Sequence, residues 1–242
     1  MLDVLVIDDA ALDVEAQKLS DYDFMSDVSV NILGHIFEQS LTDLEEMERS
    51  FGSEALASQE GGVKTPLPKS VSKRKKDGVF YTPEYITRYI VQNTLGKLCE
   101  DKKAELNIGS GTLVPPINPK KLTKAELTYK ENLLSYREWL TNLKILDPAC
   151  GSGAFLNQAL EFLIREHTVT RDMLLPFGDL TIGYEIETSI LEHNLYGVDI
   201  NEDATEIAKL SLWLRTAKRG RPLTKLADKI LYANSLLAMP FD

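Results

Sequence analysis

The sequence predicts an α/β fold in which a helical segment precedes a partial parallel sheet, and three stretches predict it. An apolar run, Leu143 to Leu146, ends in Asp147, passes through a turn of small residues and resumes as a helical apolar pattern from Phe155. A second run, Asn194–Ile200 (NLYGVDI), ends in Asp199; apolar positions at Ile207, Ala208, Leu210, Leu212 and Leu214 then suit a helix packing back on a sheet. A third, Lys229–Ser235 (KILYANS), closes on Asn234 and Ser235. Polar residues gather at the carboxyl ends of the runs, where open α/β sheets bind ligands.

The elements follow in order. Residues 1–51 read as a helical N-terminal segment, because Val30, Leu33, Phe37, Leu41, Leu44 and Met47 recur near helical spacing within Asp27–Met47. Residues 52–77, rich in Gly, Ser, Pro and Lys, read as a linker or mobile loop. The ligand-binding part spans 78–242. It opens with a helix over Thr82–Leu98, with Thr82 as N-cap, Pro83 at the first helical position and Glu84 in the first turn. Phe80 and Tyr81, just before the cap, serve either the core or the cover of a ligand. Asn107–Pro119 reads as a loop and Lys124–Thr141 as a helix leading into the first strand. His167–Glu192 exceeds the usual link between two such strands and reads as an insertion.

The turn after the first strand carries the chemistry. Gly151 and Gly153 lack a Cβ, so a ligand can reach the backbone. No Lys-Ser or Lys-Thr follows them, which excludes a phosphate-binding P-loop; Leu156 occupies the place of the third glycine of the dinucleotide fingerprint. A two-glycine turn with an acid at the strand end suits a ligand with a cationic amino group and no pyrophosphate, and S-adenosylmethionine is such a ligand. The plainer alternative is that the small residues only let a helix pack on a strand. An acid at the end of the second strand, Asp199, is placed to accept hydrogen bonds from ribose hydroxyls.

Composition bounds the rest. A chain of 242 residues buries one sizeable core. No apolar run is long enough to span a membrane and no signal-peptide pattern is present, so a cytoplasmic location is expected. Cys99 and Cys150 are too few for a disulfide framework, and His35, His167 and His193 are scattered, so no metal site is expected. The net charge of −10 argues against a large DNA-binding surface on this chain, although Lys69–Lys76 and the stretch with Arg219, Arg221 and Lys225 are locally basic.

With GVFYTPEYI, DPACGSGAF, YGVDIN and ILYANSL in this order, the chain resembles the N6-adenine-specific DNA methyltransferases, in particular the methylase part of fused type IIG (type IIS-like) restriction-modification enzymes. The four segments match that family's motifs X, I, II and III, and VNILGHIFEQSLTDL resembles the helical segment before the methylase. The resemblance covers most of residues 24–242. It implies a partial Rossmann-like S-adenosylmethionine-dependent methyltransferase sheet preceded by an α-helical segment. It also implies roles: Tyr81, Thr82 and Pro83 close over the methionine end of S-adenosylmethionine. Asp147 and the turn Pro148, Ala149, Cys150, Gly151, Ser152 and Gly153, with Phe155 beside it, hold the amino acid part. Asp199 takes the ribose hydroxyls, Ile200 lies against the adenine, and Asn234, where the family often has Asp, reaches the adenine amino group beside Ser235 and Leu236.

The family's motif IV, Asn-Pro-Pro-Tyr or a close variant, accepts the N6 hydrogens of a flipped adenine and stacks on the base. It is not found here; Pro115–Pro119 (PPINP) lies between motifs X and I with no aromatic following. The chain therefore reads as the cofactor-binding fragment of a longer enzyme, truncated before motif IV and inactive alone, whose parent methylates adenine in double-stranded DNA. No catalytic residue is assigned, and oligomeric state is not readable. A methyltransferase acting on protein or RNA, or a non-catalytic binding module, stay open as alternatives.

Overall fold

The computed structural model describes residues 82–109, 116, 119, 121–179, 185–216 and 223–237, the backbone of 239–240, and Gly34, Ile36, Gln39 and Ser40 of the N-terminal segment. Those four have helical backbone. The remainder of that segment, the 52–77 linker, Phe80, Tyr81, the Lys69–Lys76 basic run and most of the 110–120 loop lie outside the described residues.

The first helical run is α1 (Glu84–Val91), a π-helical turn (Gln92–Gly96) and α2 (Lys97–Glu105). It starts two residues later than expected: Pro83 is extended (φ −55, ψ 143) and occupies the cap position, with no side chain capping the helix. The residue before a proline is held out of the helical region, so Thr82 stays outside the helix. The run also continues to Glu105, past the expected Leu98. Within it, Asn93 Nδ2 and Thr94 Oγ1 donate to the carbonyls of Tyr89 and Ile90, four residues back, at 2.8 and 2.7 Å. Side chains competing for those carbonyls accompany the widened turn.

Helix α3 (Lys124–Asn142) begins with a complete capping box: Thr123 accepts from the Glu126 amide, and the Glu126 carboxylate accepts from the Thr123 amide. Strand β1 (Ile145–Asp147) follows, then α4 (Ala154–Leu174) with a short 3-10 turn at Leu175–Phe177. Helix α5 (Ile186–His193) leads to β2 (Leu195–Asp199), α6 (Glu202–Thr216), β3 (Ile230–Asn234) and the two-residue β4 (Met239–Pro240). Strands β1, β2 and β3 are parallel neighbours in that order, and β4 is antiparallel to β3. The α/β class is therefore found. Among the described residues, no helix is long and apolar enough to cross a membrane.

The stretch expected as an insertion, His167–Glu192, is in part the continuation of α4. Leu156, Leu160, Leu163, His167, Thr170 and Leu174, alternately four and three residues apart, form one buried stripe. His167 and Thr170 break the apolar pattern, so the sequence hides the second half of this helix. Helix α4 packs against α1, α3, α5 and α6. Its leucines meet Leu133, Tyr136 and Leu140 of α3 and Ile190 and Leu191 of α5, all essentially without exposure. Both α4 and α6 touch β2 and each other. One side of the sheet is thus covered through Leu195, Gly197 and Ile230, whereas Leu146 and Leu231 stay exposed.

Two polar junctions tie this core. The Tyr136 hydroxyl donates to Glu166 Oε2 at 2.9 Å, and Lys103 pairs with the same oxygen at 2.6 Å, joining α2, α3 and α4. Asn194 is fully buried where α5 meets β2; its Nδ2 donates to the carbonyls of Leu140 and Leu143, each at 2.7 Å, and its backbone carbonyl accepts from the Ile145 amide. It closes the open carboxyl end of α3 and aligns β1 with β2.

Asn194→Ala leaves two carbonyls without that donor and should cost about 1–3 kcal/mol, read as a lowered urea midpoint at unchanged slope. His167 supplies a pH test. Burial, with a smaller push from Arg137 against an opposing pull from Glu166, lowers its pKa to about 4 from 6.5. The unfolded chain then binds more protons between these values, so stability holds above pH 6.5, falls as pH drops and levels off below about 4. Urea midpoints between pH 7 and 4.5 should show this decline in the native chain and a shallower one in His167→Gln.

Candidate functional site

The carboxyl ends of the three parallel strands bring the expected residues to one edge. Asp147 pairs in register with Gly197, and Asp199 with Tyr232. Between β1 and α4 the chain turns back over β2. The Ala149 amide donates to Asp147 Oδ1 at 3.1 Å, the Cys150 amide to the Val198 carbonyl at 2.9 Å, and the Gly153 amide to the Cys150 carbonyl at 2.8 Å. The Gly151 amide donates to Asp199 Oδ2 at 2.7 Å, across 48 residues of sequence. Asp199 Oδ1 accepts from the Asn201 amide, and Asn201 Oδ1 in turn accepts from the Ala204 amide, capping α6. The expected acids and the glycine turn are one hydrogen-bonded unit.

The turn uses its glycines differently. Gly151 has φ +51, and a Cβ there would meet nothing within 4 Å, so its surface is open. Gly153 has φ +86, and a Cβ would stand 3.1 Å from Ala208 Cβ; it lets α4 approach α6. Asn157, buried one turn into α4, donates from Nδ2 to the Gly153 carbonyl at 2.9 Å and to Ser211 Oγ at 2.7 Å.

Asp147 and Cys150 show the electrostatic state of the site. Asp147 Oδ2 is buried with no hydrogen-bond partner among the described residues. Burial raises the Asp147 pKa above its ordinary 3.8; the Ala149 amide opposes this, and the Asp199 charge adds to it. Burial, with the charges of Asp147 and Asp199, pushes the Cys150 thiol up to about 12, so it stays protonated and unsuited to be a nucleophile.

The other expected residues surround this unit. Ile200, half exposed, follows Asp199 directly. At the end of β3, Asn234 Oδ1 accepts from the Leu236 amide at 3.0 Å, while Ser235 and Leu236 are exposed. An apolar cavity of about 270 Å³ runs between α1 and β1; Ile90, Leu95, Asp147, Pro148 and Phe155 are among its lining residues. Thr82 and Pro83 stand at the entry to α1, the helix that forms one wall of this cavity. Tyr81 lies outside the described residues.

Sequence reasoning missed four supports. Gly197 is the sharpest: a Cβ there would stand 2.9 Å from both Cys150 Sγ and Leu156 Cδ1, so the turn and α4 rest on bare β2 backbone. A glycine inside a strand is a signal for such an approach. Asn201 was visible as an N-cap residue type before α6. Asn157 and Ser211 carried no local signal, because their contact joins two helices far apart in sequence.

Known proteins match this arrangement. Residues 122–232 match the family described as the MmeI DNA-methyltransferase domain. The chain is similar to a protein of Methanocaldococcus jannaschii proposed as a type II restriction enzyme and methyltransferase, 35% identical over 145 residues, covering 57% of this chain and 12% of that protein. It is 28% identical over 143 residues to the adenine-specific methyltransferase BrxX of Escherichia coli, covering 58% of this chain and 11% of the relative. With the type II restriction enzyme and methyltransferase Eco57I of Escherichia coli it is 25% identical over 235 residues, covering 90% of this chain and 19% of the relative. The chain spans less than a fifth of the length of each of these relatives. Motif order, a glycine turn bonded to the acid of the second strand, and these matches agree: residues 122–232 are similar to the MmeI DNA-methyltransferase domain and to parts of these methyltransferases.

Proposed function

We propose that residues 78–242 are the S-adenosylmethionine-binding portion of a site-specific adenine-N6 DNA methyltransferase, built on a Rossmann-like sheet. The observation that carries this reading is the buried Asp147 carboxylate oxygen without a partner, beside an open glycine turn at the carboxyl ends of parallel strands. A cationic amino group fits such an oxygen: it compensates two neighbouring acids and supplies the missing donor.

Asp147 and the Pro148–Gly153 backbone would hold the amino acid part of the ligand. Asp199 already accepts two backbone amides, yet a carboxylate has further acceptor capacity, and the ribose hydroxyls would use it. Ile200 and Leu236 offer exposed apolar surface for the adenine ring. Asn234 Oδ1 would accept from the adenine amino group with the lone pair that the Leu236 amide leaves. Thr82, Pro83 and Tyr81 would cover the methionine end, and Phe155 would back it from the cavity side. S-adenosylmethionine, when bound, supplies an electrophilic methyl group; this chain's residues bind and orient it. The names of the relatives, adenine-specific and restriction-modification among them, support adenine in DNA as the acceptor.

Calorimetric titration with S-adenosylhomocysteine tests the site directly. A single binding event is expected, and a folded chain that binds neither this product nor S-adenosylmethionine would sink the reading. Gly151→Asn keeps a residue tolerated at φ > 0 while filling the open side of the turn, so binding should be lost with the melting temperature nearly unchanged. Asp147→Asn should weaken binding by about tenfold or more, the weight of a charge-assisted hydrogen bond. The same carboxylate sets a pH dependence. The cationic ligand favours ionised Asp147, whose free-state pKa is raised, so affinity should fall as pH drops into that raised range; the Asn variant should lack this slope.

A further inference from the structure

Among the described residues of the N-terminal segment, Gly34 meets the glycine turn. It is buried and helical, and a Cβ built on it would stand 2.6 Å from Ser152 Oγ and 3.4 Å from Ser152 Cβ. At the first distance the Ser152 hydroxyl must turn away from its place; the second is at the edge of ordinary contact. Nothing in the backbone at position 34 calls for glycine: its φ is not in the left-handed region, and a helix interior favours almost any other residue. The space over Ser152 accounts for glycine there. The matched family region begins at residue 122, so it does not include this residue.

We infer that Gly34 is a positioning residue for the methyl-donor site: it seats the helical backbone at position 34 directly on Ser152 and so holds the 151–153 backbone in the shape that receives the ligand. The inference rests on the cofactor reading above. Ser152 lies between Gly151 and Gly153, both of positive φ, the part of the turn with the least intrinsic preference for one shape. A side chain at position 34 therefore acts on the turn through Ser152, without touching the ligand.

The two distances define the test. Gly34→Ala forces the Ser152 hydroxyl out of its rotamer, whereas Ser152→Ala removes that hydroxyl and keeps the Cβ at a tolerable distance. The 242-residue chain, Gly34→Ala, Ser152→Ala and the double variant are titrated with S-adenosylhomocysteine, with thermal melts alongside. Gly34→Ala should weaken binding about tenfold in the native background and not at all in the Ser152→Ala background, the signature of a direct coupling. Melting should not follow affinity, because alanine favours the helix. Equal losses in both backgrounds, or no loss in either, overturn the inference while leaving the cofactor reading intact. If Gly34→Ala alone fails to fold, recovery of the melt and of binding in the double variant supports the contact, and failure of both overturns it. Absence of binding by the native chain overturns the cofactor reading and this inference with it.

Discussion

The site depends on how closely the turn after β1 lies upon β2. Gly197 presents only a hydrogen to Cys150 and Leu156, and this lets the Cys150 amide reach the Val198 carbonyl and the Gly151 amide reach Asp199. The covalent order of the chain separates these partners by about fifty residues, so their meeting is a product of the parallel pairing of β1 with β2. Asn194 sets that pairing from the opposite end, where α3, α5 and both strands converge. The sheet is thus tied at its amino end by the Asn194 backbone carbonyl, with its side chain holding the end of α3, and joined to the glycine turn at its carboxyl end by one carboxylate.

Asp199 is first a structural group. Its two oxygens organise both the glycine turn and the entry to α6. Asp147 is the complementary case: one oxygen orders the turn through the Ala149 amide, and the other is buried without a partner among the described residues. Burial raises the Asp147 pKa, and the charge of Asp199 adds to it. A buried carboxylate oxygen without a partner is costly, and a cationic group placed against it would offset that cost.

The parts that were legible in sequence share a property: their signal is local. The LDPACGSGAF segment announces strand, turn and helix because apolar pattern, glycine and acid lie within ten residues. The strand ends at Asp199 and Asn234 are legible for the same reason. What escaped is non-local or disguised. The start of α1 is displaced because Pro83 governs the residue before it. The second half of α4 is concealed because His167 and Thr170 fill apolar-spaced positions, with burial rather than residue type revealing the stripe. The contacts of Asn157 with Ser211, and of Gly34 with Ser152, depend on tertiary approach that no window of sequence contains.

Three glycines, alike in the alphabet, face different rules of replacement. At position 151 the restriction is conformational: φ is positive but the space is open, so substitution there is judged by whether the backbone angle is tolerated and by what the site must hold. At position 197 the restriction is of volume: no positive φ is involved, and the Cys150 sulfur, the Leu156 methyl and the Ile230 methyl fill the space a Cβ would take. Position 153 carries both restrictions at once. A side chain at position 197 therefore has room only if Cys150, Leu156 and Ile230 all give way, so the turn, the fourth helix and the third strand share one restriction on the second strand.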